Sequence, residues 1–219
     1  MVFVLNNVAK YYRDGDSKHW VLHNFTHDFT KHQYICVAGP SGSGKSTLLN
    51  LLCGLISADE GSIQFRRGEE VIQLGTATPT VLREFRRHRI GFIYQFFNLI
   101  PTLTALENVL LPLELTRQRH LDTIARERLH QLGLGARINA FPEELSGGEQ
   151  QRLAVARAFA HNPDVILADE PTGNLDRDTA SEVIELLWRE TARTEATLIV
   201  ASHDERVSAR CEDVLSLAS

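Results

Sequence analysis

No uninterrupted run of about 18 apolar residues occurs in this 219-residue chain, so it is not expected to span a membrane by itself. Its amino terminus, MVFVLNNVAK, lacks the basic start and long apolar stretch of a secretory signal. Cysteine is scarce: Cys36, Cys53 and Cys211 are odd in number and show no CxxC spacing. Neither a disulfide framework nor a cysteine zinc site is supported, and a reducing cytosol fits best. Positive charge is also in deficit, with 23 Lys and Arg against 28 Asp and Glu and a net charge of −5. That balance argues against nucleic acid as the main partner, and it leaves the basic run of Arg83, Arg86, Arg87 and Arg89 as a solvated helix face. With only 14 Gly and 7 Pro there is no low-complexity linker, and no internal repeat is visible.

What the chain does have is the composition of an ordinary globular protein, 43% apolar and 23% charged, and enough length for one substantial core. Three short apolar runs, Tyr34 to Gly39, Asp164 to Glu170 and Thr197 to Ser202, end in small or acidic residues. Runs apolar on both faces suit parallel strands covered by helices. Helical periodicity is found over Lys45 to Leu55, Ala105 to Leu115, Leu121 to Leu132, Gly147 to Ala160 and Thr179 to Arg193. The alternation predicts an α/β fold whose ligands bind at the carboxyl ends of the strands. The first thirty residues read instead as an antiparallel edge around the turn RDGDS, Arg13 to Ser17, and a helical lobe is expected between about 96 and 160.

GPSGSGKST, from Gly39 through Pro40, Ser41, Gly42, Ser43, Gly44, Lys45 and Ser46 to Thr47, follows a buried strand and opens a helix. This is the context that the GxxxxGK[ST] pattern requires. Glycines let several amide hydrogens converge on phosphate oxygens, and the helix start adds positive potential. Lys45 can reach the terminal phosphates, and the Ser46 hydroxyl can ligate Mg²⁺. An aspartate ending a buried strand, Asp169, suits Mg²⁺ held through its water shell, and Glu170 is the candidate for polarising an attacking water. These motifs leave kinase, GTPase and ATPase readings open, although no NKxD guanine-reading motif lowers the second. A second anion-binding pattern, LSGGEQQR, starts at Leu145: Ser146 is a natural N-cap, Gly147 and Gly148 open the helix, and Glu149 has capping-box spacing.

With that motif lying between the two nucleotide motifs, the sequence resembles the ATP-binding cassette (ABC) ATPases over almost its whole length. The order comprises Gly39 to Thr47, Gln95 in FIYQF, Leu145 to Gln150, Asp169 and Glu170, GNLD from Gly173 to Asp176, and His203 in ASHD. The resemblance implies a P-loop NTPase with a RecA-like parallel-sheet core, an antiparallel edge and an inserted helical subdomain. Residues 1–219 would form one nucleotide-binding domain, with the core at about 1–95 and 161–219 and the subdomain at about 96–160. ATP and Mg²⁺ are the implied ligands. Gln95 would contact Mg²⁺ and the attacking water, His203 the γ-phosphate, and Tyr12, or its neighbour Tyr11, the adenine.

By the same resemblance, Ser146, Gly147 and Gly148 would close the ATP site of a second cassette, a copy of this chain or a relative, bound head to tail. The run from Ile90 to Leu115 is similar to the subgroup serving lipoprotein release, macrolide export and related envelope systems, in which Phe96, Phe97 and Leu99 would meet an integral membrane permease. The implied location is the cytoplasmic face of the inner membrane. A signalling ATPase similar to the cell-division cassette is the alternative, and a soluble ribosomal or DNA-repair cassette is disfavoured. The short segment after His203 implies no carboxy-terminal regulatory domain, and His19, His23 and His27 read as a solvated face, not a metal site.

Overall fold

A computed structural model describes residues 1–15, 17–118 and 120–217. The chain divides into two compact units, one running from Met1 to Arg86 and resuming at Thr197, the other being Arg87–Ala196.

The first unit begins with two long strands, β1 (Phe3–Asp14) and β2 (Ser17–Phe29), paired antiparallel as the early alternation predicts. Gly15 in their turn has φ +59, and Asp16 lies outside the described residues. Then come β3 (Tyr34–Ala38), α1 (Lys45–Leu52), β4 (Glu60–Arg67), β5 (Glu70–Gln73) and α2 (Pro79–Arg89), whose last three residues belong to the second unit. Strands β2, β1, β4 and β5 form one antiparallel sheet in that order. Its inner face is aromatic: Phe3 packs edge-on against Phe29 and Phe65, with centroids 6.3 and 5.6 Å apart, and Phe65 meets Phe85 of α2 at 4.9 Å.

The second unit holds β6 (Ile90–Ile93), α3 (Ala105–Leu115), α4 (Leu121–Gln131), α5 (Gly147–Phe159), β7 (Val165–Asp169) and α6 (Arg177–Thr194). Strands β6 and β7 are parallel, Ile90 opposite Val165 and Ile93 opposite Ala168, with α3, α4 and α5 lying between them in sequence. Gly91 is required there because a β-carbon would run into the Ala158 carbonyl of α5. The chain re-enters the first unit as β8 (Thr197–Ala201), α7 (Glu205–Ser208) and β9 (Asp213–Ser216). Strand β3 lies between β8 and β9, parallel to both. Among the described residues no helix is long and apolar enough to cross a membrane.

Buried polar groups tie the second unit together. Arg128 of α4, 5% exposed, donates to Glu190 of α6 at 3.0 Å and to the Asn162 side chain at 3.1 Å. Burial pulls the Arg128 pKa down, and the Glu190 carboxylate opposes that. Just after α5, His161 makes a 3.2 Å hydrogen bond with the Ile90 carbonyl through Nε2. A carbonyl only accepts, so this nitrogen carries the proton. Burial holds the imidazole at about 4, below its usual 6.5.

Between about 6.5 and 4 the unfolded chain takes up a proton that the folded imidazole refuses, so stability falls as pH drops through that window. The linkage amounts to about 2 kcal/mol at pH 5. Urea unfolding at pH 7 and pH 5 checks it: His161→Gln should lose less stability between the two pH values than the parent chain does.

Candidate functional site

In the first unit the phosphate-loop residues leave the carboxyl end of β3. Gly44, the N-cap of α1, has φ +94 and no side chain with which to cap the helix, so it leaves the first amides of α1 without the N-cap acceptor that a Ser, Thr, Asn or Asp would supply. A β-carbon on Gly44 would sit 2.7 Å from Val21 Cγ1, which places β2 directly against the loop. A β-carbon on Gly39 would lie 2.5 Å from Ser43 Oγ and 2.8 Å from the Leu217 carbonyl, so the segment after β9 forms the loop's floor. Lys45 is 8% exposed and its ammonium donates to the carbonyls of Gly39 and Pro40 at 2.9 and 3.0 Å. Ser41, Gly42 and Ser46 are exposed, Ser43 is buried and Thr47 half-buried. The arrangement is a backbone cradle with one interior cation and an exposed hydroxyl.

Two more candidates lie in this unit. Val37 of β3 is opposite Ala201 of β8, so Gly39 and His203 follow at the same end of neighbouring strands, with His203 exposed. The tyrosine pair separates by partner. The Tyr11 ring is engaged by Trp20, edge-on at 5.1 Å, and by the Lys18 ammonium at 4.2 Å. Tyr12 is 48% exposed, opposite His19, with the Lys10 ammonium 5.8 Å from its ring. The histidines differ from a uniform solvated face: His23 packs on Trp20, while His27 is half-buried, 3.6 Å from an Asp213 carboxylate oxygen. Among the described residues no cluster of His, Cys, Asp or Glu could hold a metal ion on its own.

In the second unit β7 ends at Asp169, and Glu170 adopts φ +45. Glu170, the first residue past the strand, therefore continues through a left-handed turn and not through the strand pleat. For a non-glycine residue that conformation costs about 1–3 kcal/mol, so the surroundings must impose it. They include a hydrogen bond from the Gly173 amide to the Glu170 carbonyl, 3.1 Å, and Pro171 next in the chain. A β-carbon on Gly173 would lie 3.5 Å from Gln95 Nε2 and 3.6 Å from Glu170 Cβ, so Gln95 and Glu170 flank one small space. Asn174 closes it by donating to the Gln95 carbonyl at 2.8 Å. Asn174 lies within GNLD, and nothing in the spacing of that motif points to this bond.

The LSGG segment forms the predicted cap. Glu149 accepts from the Ser146 amide and hydroxyl, both at 2.8 Å, and its own amide donates to Ser146 Oγ at 3.3 Å. Those bonds from Ser146, with Arg137 at 3.1 Å, hold the Glu149 carboxyl below its usual range. Ser146 and Gly147 are exposed, and Gly148 packs where a β-carbon would meet Thr179 at 2.5 Å. Asp176 caps α6, accepting from the amides of Asp178 and Thr179. After Gln95 the chain turns through two left-handed residues, Phe97 and Asn98, leaving Phe96 76% exposed.

A parallel α/β core with a glycine phosphate loop opening a helix defines a P-loop NTPase. The ABC transporter family model matches residues 22–173. An uncharacterised ABC transporter ATP-binding protein of Mycobacterium tuberculosis is 44% identical over 215 residues, covering 97% of this chain and 85% of the relative. The lipoprotein-releasing system ATP-binding protein LolD of Geobacter metallireducens is 43% identical over 204 residues, covering 92% and 89%. Among solved structures, a dimeric post-hydrolysis state of the ATP-binding cassette MJ0796, bound to ADP and Pi, superposes with a TM-score of 0.89 at 38% identity, covering 98% of this chain and 94% of that one. The chain belongs to the ABC transporter family, as one of its ATP-binding cassettes.

The crowding around Gly44 is directly testable. Gly44→Ala combines a strained φ with a clash and should cost about 2–4 kcal/mol in chemical denaturation, whereas Gly42→Ala, at φ +83 with open space around it, should cost about 1–2 kcal/mol. Equal losses would mean that the approach of Val21 contributes nothing.

Proposed function

We propose that this chain is the ATP-hydrolysing subunit of an ABC transporter, works as a head-to-tail pair of cassettes, and drives a separate membrane permease that exports or extracts envelope substrates. The exposed and self-capped start of α5 carries the paired reading. Ser146 and Gly147 are open to a partner, yet the helix needs no ligand to be stable, so it can engage and release a phosphate in a cycle. Relatives named as ATP-binding proteins of a lipoprotein-releasing system support the envelope role. The exposed Phe96 supports a permease surface, and the absence of a membrane-crossing helix among the described residues fits placement at the cytoplasmic face of the inner membrane.

The residues fit ATP and Mg²⁺. Gly39 and Gly44 stand where β-carbons would clash, and Lys45 offers a nearly buried cation. Ser46, Gln95 and Asp169 supply only oxygen donors, with a single carboxylate, which suits a cation that shares its shell with phosphates and water. Bound there, Mg²⁺ would neutralise charge on the β- and γ-phosphates. Tyr12 stacks on the adenine, its ring being more open than that of Tyr11. The loop amides from Gly39 to Thr47 bind the phosphates, and Lys45 exchanges its own loop's carbonyls for phosphate oxygens. Glu170 orients the attacking water, Gln95 beside it fixes the water's second contact, and His203 holds the γ-phosphate. Residues at about 96–160 act as a helical subdomain that presents Ser146, Gly147 and Gly148 to the nucleotide of a second cassette.

Glu170→Gln should retain ATP and accumulate a closed dimer, read by size-exclusion chromatography with Mg-ATP. A variant that stayed monomeric at saturating nucleotide would defeat the paired reading. In mixed dimers, Ser146→Arg in one chain should damage the site that carries the partner's phosphate loop. Damage that tracked the mutated chain's own loop would show that the sites are not shared.

A further inference from the structure

Helix α5 touches both loops that carry the second unit's reactive side chains, and it does so through two long polar groups. Near its start Gln151, fully buried, donates from Nε2 to the Pro171 carbonyl at 2.7 Å. Pro171 is bonded to Glu170. Near its end Arg157 donates to the carbonyls of Phe97 and Asn98 at 3.0 and 2.7 Å, two and three residues beyond Gln95. The two loops are also joined to each other by the Asn174 to Gln95 bond and by the tight space at Gly173. Helix, Glu170 loop and Gln95 loop thus form a closed circuit inside one compact unit.

Packing alone does not account for either side chain. Gln151 Oε1 is buried and has no partner among the described residues, so half of the amide goes unsatisfied and what the side chain supplies beyond packing is its bond to the Pro171 carbonyl. The Arg157 guanidinium is half-buried, and burial pulls its pKa down. It sits where the carbonyls of two consecutive left-handed residues, φ +56 and +52, converge on one cation. Both side chains grip backbone, which sets where a loop lies without entering the chemistry.

We infer that Gln151 and Arg157 are positioning residues for ATP hydrolysis: α5 holds Glu170 and Gln95 in mutual register through them. This rests on the function proposed above. Since the amino terminus of the same helix faces the partner's nucleotide in that reading, α5 connects capture of one ATP with the placement of the water-orienting groups at the other.

The test is steady-state ATPase kinetics of the full chain carrying Gln151→Met or Arg157→Lys, alongside nucleotide affinity and thermal unfolding. Methionine keeps the length and loses the donor, while lysine keeps the charge and loses the fork. Expected for both is a fall in kcat of about tenfold or more with KM and ATP affinity within about twofold, because a shift of an ångström in a reacting group acts on rate and not on binding. Folded variants with unchanged kcat would overturn the inference, as would parallel losses of affinity and rate. Loss of the cooperative unfolding transition in both variants would assign the bonds to stability alone and overturn it too. Mg-ATP-driven dimerisation of the Glu170→Gln chain, run in parallel, reports on the shared-site reading by itself, so the two ideas fail separately.

Discussion

A helix start exposes amide hydrogens that no carbonyl of its own helix can accept, and the chemistry of this chain depends on how it manages that at two places. At α1 the amides stay uncapped behind Gly44, and the helix is held by Leu48, Leu49, Leu51 and Leu52, all essentially buried, with Lys45 stapling the loop to itself. At α5 the same need is met internally by Ser146 and Glu149. In the function proposed above, the uncapped start leaves its amides for the chain's own nucleotide, and the capped one can engage a partner's nucleotide and release it without losing its helix.

The second unit shows the complementary constraint, that buried polar groups have to be paired. Arg128, Glu190 and Gln151 are buried and Arg157 is half-buried, and each makes bonds to groups at least 20 residues away in the chain. Removing one partner of such a pair strands the other, and for charged pairs the loss is about 3–5 kcal/mol, which makes these contacts strict about geometry even where their net contribution to stability is small. Strictness of this kind keeps a left-handed Glu170 beside Gln95.

Much of the architecture was legible beforehand, and the misses share a cause. The three buried strands fell within one or two residues of their predicted limits, and Ala105–Leu115 matched outright, because continuous apolar runs and helical periodicity report burial directly. Strands β4, β5 and β9 went unrecognised. They are four to eight residues long, and β5 and β9 each begin on a charged residue, so their pairing with β4 and β3 decides them and not their own pattern. Helix α6 begins at Arg177, two residues earlier than its apolar periodicity indicated, since Asp176 caps it. Ala218 and Ser219, the end of the segment after His203, lie outside the described residues.

The sequence by itself determined the class of chemistry: a glycine loop ending in Lys45 and Ser46, an acidic strand end and LSGG are local patterns whose backbone needs can be read from residue type and spacing. Tertiary structure alone decided which side chain stands beside which. Tyr12 is left open because Trp20 and Lys18 occupy Tyr11, Glu170 turns out of its strand, and Gln151 and Arg157 reach loops far along the chain. Those outcomes depend on contacts between residues distant in sequence, and spacing carries no information about such contacts until the chain has folded.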